Sequence, residues 1–212
     1  AGGVKGVLAQ MEVETLAAPG LLESRLGWSG LVPVGAQGRR PCLAGKSEAL
    51  GELTVHWLWP ESVSIDGEEN DHSCVALLSW RGVRVLLTGD ISSRVEARLA
   101  AAYPGFAPVD LLVAPHHGSR TSSSRALVQW ARPAMVVFSA GYRHHFGHPH
   151  PDVVDRYRRS GALLFNTAEA GAVTALWAAA DVPPHLRCAR DAPRFWLSER
   201  PSCGARTRDF SE

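Results

Sequence analysis

The strongest constraint on this chain is a series of short apolar runs, each closed by residues with chemistry to offer. Residues 83–88 end at Gly89-Asp90, residues 110–114 end at Pro115-His116-His117-Gly118-Ser119, and residues 134–139 precede a histidine-rich stretch that finishes at His148-Pro149-His150-Pro151. Runs of this length, bounded by Gly and Pro, read as buried strands. Between them the spacing turns helical. Val95, Leu99 and Ala102 form one apolar stripe, with Ser93-Arg94-Val95-Glu96 in capping-box spacing, and the stripe ends near Tyr103-Pro104-Gly105. Residues 122–124 can cap a helix that runs through Trp130 and stops before Pro133.

The rest of the chain continues the alternation. Residues 53–59, β-branched and aromatic, predict a strand stopped by Pro60. Residues 74–80 and 83–88, joined by Arg81-Gly82, predict a hairpin whose Gly supplies a positive φ. Pro151 suits the first turn of a helix running to Arg159, with Gly161 just past its end. Residues 163–165 and 172–177 predict two more strands. Toward the N-terminus, Val4, Val7, Leu8, Met11 and Leu16 give residues 4–17 a helix-like spacing, and residues 27–51 read as loops and short strands. Beyond about 181 the chain is rich in Pro and Arg and reads as an irregular tail. Strands alternating with helices, with two hairpin-like pairs, predict α/β or α+β layers.

Composition narrows the function. No apolar run reaches the roughly 18 to 20 residues that span a bilayer, and the N-terminus lacks the basic-then-apolar order of a signal peptide. A net charge of +1 gives no general attraction to nucleic acid, so any such affinity has to be local. Local asymmetry is present: residues 116–160 hold seven arginines against two aspartates, whereas residues 61–71 are acidic. Cys42, Cys74, Cys188 and Cys203 show neither zinc-finger spacing nor a disulfide framework, and Cys74, in an apolar run, reads as core.

Three groups of residues could carry chemistry. Asp90 lies at the end of a buried strand after a Gly that lets the backbone turn, which is a ligand position in layered α/β proteins and also an ordinary helix-cap position. Of His116 and His117, consecutive side chains, one can face a site while the other orients it. The run from Ser119 through Thr121 and Ser122 to Ser124 adds hydroxyls and helix N-terminal amides suited to a phosphate oxygen. In the last group, His148 and His150 are stiffened by flanking prolines, and His150 could equally cap the helix that follows. The arginine-rich side favours a polyanionic substrate. His56 and His72 read as packing residues. Trp28, Trp57, Trp59, Trp130 and Trp177 read as core or interface.

Taken together and in order, Asn70-Asp71-His72-Ser73-Cys74-Val75, Leu86-Leu87-Thr88-Gly89-Asp90, Pro115-His116-His117-Gly118-Ser119 and Phe146-Gly147-His148-Pro149-His150-Pro151 strongly resemble the C-terminal metallo-β-lactamase-like domain of the ComEC family. These proteins are bacterial inner-membrane channels for DNA uptake in natural transformation. The resemblance covers about residues 50–178. It implies an αββα sandwich that holds two divalent metal ions, zinc or manganese, with Asp90 bridging them and His117 binding one. It further implies His116 as a catalytic neighbour that tunes the metal. His148 would hold a phosphate oxygen or protonate the leaving oxygen, and Ser119, Thr121, Ser122 and His150 would contact substrate. A family histidine usually precedes the strand that starts here near Cys74; Asn70-Asp71-His72 stand in its place and leave that ligand open.

One family hallmark, H-x-H-x-D-H, is nowhere in the sequence. Ala1-Gly2-Gly3-Val4 looks like the segment that follows it in relatives. The expectation is therefore a domain over 1–180 truncated just after that cluster and lacking its first strands, with an irregular tail over 181–212. In the intact parent the resemblance implies a metal-dependent phosphodiesterase that degrades the DNA strand that is not imported. Its partners would be single-stranded DNA, held through its backbone, the transmembrane channel portion of the same parent chain, and other competence proteins. The parent would sit in the bacterial cytoplasmic membrane with this domain on the exocytoplasmic side. Competing readings are a metallo-hydrolase of a small ester or lactone, and a catalytically inactive DNA-binding domain.

Overall fold

The computed structural model describes residues 10, 11, 13, 15–19, 38–63, 68–142, 145–179 and 181–191. Strand β1 (Thr15–Ala18) pairs in parallel with β2 (Gly38–Pro41). Strands β3 (Ser47–Leu50), β4 (Leu53–Trp59), β5 (Val75–Trp80), β6 (Val83–Leu87), β7 (Leu111–Val113), β8 (Met135–Phe138) and β9 (Leu163–Asn166) form one seven-stranded sheet. Their order in space is their order in the chain. The first four are antiparallel and β6 to β9 are parallel. Helices α1 (Ser93–Ala102), α2 (Arg125–Ala131) and α3 (Pro151–Arg159) make the three parallel crossovers. The short helix α4 (Thr167–Ala170) leads into the hairpin of β10 (Val173–Leu176) and β11 (His185–Cys188).

Alternation along each strand decides what each face of the sheet buries. Leu86, Leu112, Val136, Phe138 and Leu164 point to the face covered by α1, α2 and α3 and meet Val95, Leu99, Leu127, Val153 and Tyr157 in the main core. Leu111, Met135, Val137, Leu163 and Phe165 point the other way, toward Ala170, Val173, Leu186 and Cys188. Because β7 to β9 are covered on both faces, they read as unbroken apolar runs. The α/β class is thus as expected. Among the described residues one large sheet carries a layer of three helices, and the other pieces of sheet are two-stranded. At the β5–β6 turn both Arg81 (φ 46°) and Gly82 (φ 91°) are left-handed, as a two-residue hairpin favours.

Several expectations are corrected. Most of the helix expected over 4–17 lies outside the described residues, but its last residues, 15–17, belong to strand β1, whose pairing with β2 overrides the local spacing. Cys42 and Cys74 form a disulfide with Cα atoms 5.8 Å apart. Spacing rules could not show a bridge that the fold itself assembles across 32 residues of chain. Ser93 and Glu96 do not form a capping box: Ser92 is the cap position, and Glu96 turns inward and is fully buried. Of the acidic residues noted over 61–71, one is drawn into the protein. Asp71 is buried, and its carboxylate accepts from the Ser92 amide (3.0 Å) and from Nη2 of Arg94 (3.1 Å). Finally, the region read as an irregular tail supplies β11, whose Cys188 packs into the second core. Arg190 beyond it donates to the carbonyls of Ala168 (2.7 Å) and Glu169 (3.0 Å).

Candidate metal and phosphate site

The parallel strands all end at one edge of the sheet, and antiparallel β5 begins there. Residues following β6, β7 and β8 and residues preceding β5 therefore converge, as they do at the ligand edge of open α/β sheets. Thr88 fastens two of these ends by donating from its hydroxyl to the Val113 carbonyl (2.8 Å). Gly89, at φ +57°, turns the chain so tightly that a Cβ there would stand 2.6 Å from Cβ of Ser73. Ser73 returns the contact by accepting the Asp90 amide on its hydroxyl oxygen (3.1 Å). The Asp90 carboxylate is thereby fixed at the rim and is about half exposed.

The segment after β7 is strained. His116 (φ 48°), His117 (φ 57°) and Gly118 (φ 82°) are left-handed in succession, a conformation that non-glycine residues adopt only when the surroundings impose it. What imposes it is visible. The His116 amide donates to the Gly89 carbonyl (3.0 Å), the Ser122 hydroxyl donates to the Pro115 carbonyl (2.8 Å), and the His150 amide donates to the Gly118 carbonyl (2.9 Å). A Cβ on Gly118 would lie 2.7 Å from Pro149 and 2.8 Å from the Phe138 ring. The result of the strain is two imidazoles presented at one edge.

His117 and Asp90 face each other, with Nε2 3.7 Å from Oδ1. Nδ1 of His117 donates to the Ser139 carbonyl (2.8 Å), which leaves the lone pair of Nε2 directed at the carboxylate. That separation is too long for a hydrogen bond and close to the spacing of two atoms each about 2.1 Å from one metal ion. The pair fits two positions around a divalent cation. Among the described residues no group of three His, Cys, Asp or Glu side chains forms a closed metal site. His116 lies behind, with Asn70 donating to its Nε2 at 3.5 Å. Its ring is 6.1 Å from that of His148.

His116, His117, Ser139, Ala140, Gly141, Phe146 and His148 line a cleft of about 380 Å³. The structure thus brings together Asp90, His116, His117 and His148 from the expected set. It does not bring the hydroxyl run into the cleft. Ser122 is buried with its hydroxyl spent on backbone carbonyls, and the hydroxyls of Ser119 and Thr121 bond each other (3.1 Å). A hydroxyl-rich run has the same composition whether it faces a ligand or staples a loop. His150 does what its alternative reading proposed: it is the N-cap of α3, its Nδ1 accepting from the Asp152 amide (3.2 Å). Of Asn70, Asp71 and His72, Asn70 is the one that reaches a site imidazole.

Glu96 was not singled out as a functional residue, yet it supports the whole edge from below. Its two carboxylate oxygens accept from the amides of Ser123 (2.5 Å) and Ser124 (2.7 Å), and Arg156 donates to the Ser123 carbonyl. Burial pushes the Glu96 carboxyl up, against the pull of the Ser124 and Ser123 contacts and of the Arg156 charge. Burial would raise Asp71 as well, but there Ser92 and Arg94 outweigh it and hold the carboxyl below the usual aspartate value.

Comparison with known proteins agrees with the motifs. No family model matches the chain. Over 132 residues it is 34% identical to Recombination protein 2 of Haemophilus influenzae, covering 62% of this chain and 16% of that protein. Over 106 residues it is 36% identical to Competence protein ComA of Neisseria gonorrhoeae, covering 50% of this chain and 15% of that one. The chain therefore spans less than a fifth of the length of these relatives. A solved structure, the metallo-β-lactamase fold protein YhfI of Bacillus subtilis, aligns with a TM-score of 0.44 at 12% identity, covering 78% of this chain and 67% of that one.

Proposed function

We propose that this chain, a sequence relative of competence and recombination proteins, is the metallo-β-lactamase-like domain of a DNA-uptake protein. Its cleft acts on phosphodiester bonds of the DNA strand that is not imported. The observation that carries the reading is the Asp90–His117 pair: a rim carboxylate and an imidazole whose free Nε2 faces it at 3.7 Å, both at the carboxyl edge of a parallel sheet. Divalent ions, zinc or manganese, supply at such sites a water of lowered pKa and an electrophile for phosphate oxygens. The chain's own residues have simpler tasks. Asp90 and His117 bind; Ser139, through its carbonyl, fixes the tautomer of His117; Asn70 orients His116; and His148, on the cleft wall, holds a phosphate oxygen or gives a proton to the leaving oxygen.

The disulfide supports the placement of the domain. Such bonds persist in oxidising compartments and are rare in the bacterial cytoplasm, so Cys42–Cys74 favours the exocytoplasmic face of the membrane. No helix among the described residues is long and apolar enough to cross a bilayer. The transmembrane channel portion of the same parent chain and other, separate competence proteins enter the proposal as partners.

The decisive measurement uses the parent protein. Its purified form should retain divalent metal and cut single-stranded DNA, and Asp90→Asn or His117→Ala should lower both metal content and cutting, the latter at least about 100-fold. Cutting that survives the double substitution unchanged would refute the nuclease assignment. DNA binding with neither metal nor cutting would identify a binding domain instead, and cleavage confined to small esters would identify the small-ester hydrolase.

A further inference from the structure

We propose that Phe146 is a stacking platform for an unpaired nucleobase, which fixes the strand in the cleft while its phosphate lies at the histidines. The proposal rests on the functional reading above and goes beyond it by naming the residue that recognises the base. Phe146 lines the same cleft as His116, His117 and His148 and is 64% exposed. Its ring lies nearly parallel to that of His148, 18° between planes and 5.8 Å between centroids, and the His145 ring leans on it at 4.0 Å. The imidazoles thus hold the ring in place, and most of its surface still faces solvent.

The chemistry of the wall selects the occupant. Ala140 and Gly141 offer no polar side chain, and the Ser139 carbonyl is committed to His117. Phe146 presents an exposed aromatic ring to this cleft, and every base has a face that such a ring can cover. Imidazoles beside that ring suit the phosphate attached to the same nucleotide, and a cleft of about 380 Å³ has the size of a small-ligand site. In a duplex both faces of a base are covered by its neighbours, so only an unpaired, unstacked base can lie on Phe146.

The test is equilibrium binding of the 212-residue chain to a labelled oligothymidylate, an abasic strand of equal length and a duplex, with wild type, Phe146→Ala and Phe146→Trp. Wild type should bind oligothymidylate more tightly than the abasic strand or the duplex. Phe146→Ala should weaken oligothymidylate binding about 5- to 150-fold, to the abasic level, and leave abasic binding and its salt dependence unchanged. Phe146→Trp should restore the difference. A ring this exposed contributes little to folding, so the melting temperature should stay the same and serves as the control. If Phe146→Ala leaves oligothymidylate binding intact, or weakens both strands equally, the platform is refuted while the functional reading stands. If wild type binds none of the three, the platform is refuted, and the functional reading is judged separately by metal content and cutting in the parent protein.

Discussion

At the scale of single residues, the edge of the sheet is shaped by positions where a methyl group is too much. Gly118 combines a left-handed backbone with contacts that a Cβ would force below 3 Å against Pro149 and Phe138. Gly118→Ala should therefore lose about 2–4 kcal/mol, from backbone strain and overpacking together, readable as a shift of the denaturant midpoint. Asp71 offers a pH test. Its folded-state pKa lies below its unfolded value, so the stability it contributes is present above about pH 4 and is lost as pH falls through the lower, folded value. Asp71→Ala should destabilise the chain by about 1–3 kcal/mol at neutral pH, because the Ser92 amide loses its acceptor. It should also flatten the acid limb of a plot of melting temperature against pH; an unchanged acid limb would assign acid lability to other carboxylates. Glu96→Gln keeps the shape but replaces one acceptor by a donor facing an amide, and a loss of about 1–3 kcal/mol is expected in chemical denaturation.

At the scale of elements, the Cys42–Cys74 bridge ties the loop after β2 to the segment that enters β5. That segment carries Asn70 and Ser73, the residues that contact His116 and Asp90. Chain-entropy arithmetic for a loop of this length gives about 3–4 kcal/mol, so Cys42→Ser with Cys74→Ser should lower the unfolding free energy by roughly that amount. A thermal melt without reductant checks it, the double variant melting below wild type; because Cys188 is disulfide-bonded as well, reductant should lower both, and wild type further. What could be read in advance follows from which features are local. Strands β4 to β9 and helices α1 to α3 announced themselves because period two and period 3.6 are written along the chain. Asp90 and the His116-His117 pair could be picked out as candidates for a related reason, as chemistry placed just after a buried run; the choice of His117 within the pair came from the family resemblance alone. The bridge, the inward turn of Glu96 and the burial of Ser122 were not, because each depends on a partner that only the fold brings near. Strand β11 escaped notice because His185-Leu186-Arg187-Cys188 is short and polar in every second position, and its pairing with β10 makes it a strand.

At the scale of the whole molecule, one core joins the large sheet to all three crossover helices, and Trp59 and Trp130 are both buried in it. Tryptophan fluorescence and far-ultraviolet circular dichroism should therefore report the same thermal transition, and separate midpoints would show that the helical layer and the sheet melt independently. The order of the sheet has a different kind of consequence. After its first strand, β3, each strand of the sheet lies beside the one synthesised just before it, and the three crossover helices arrive between the members of the parallel pairs they cover. A polypeptide threaded through a membrane pore from its N-terminal side could settle strand by strand as it emerged, no strand waiting for a distant mate. Both sulfurs of the bridge precede β5, so an oxidant at the pore exit could seal the first section before the histidines had left the channel.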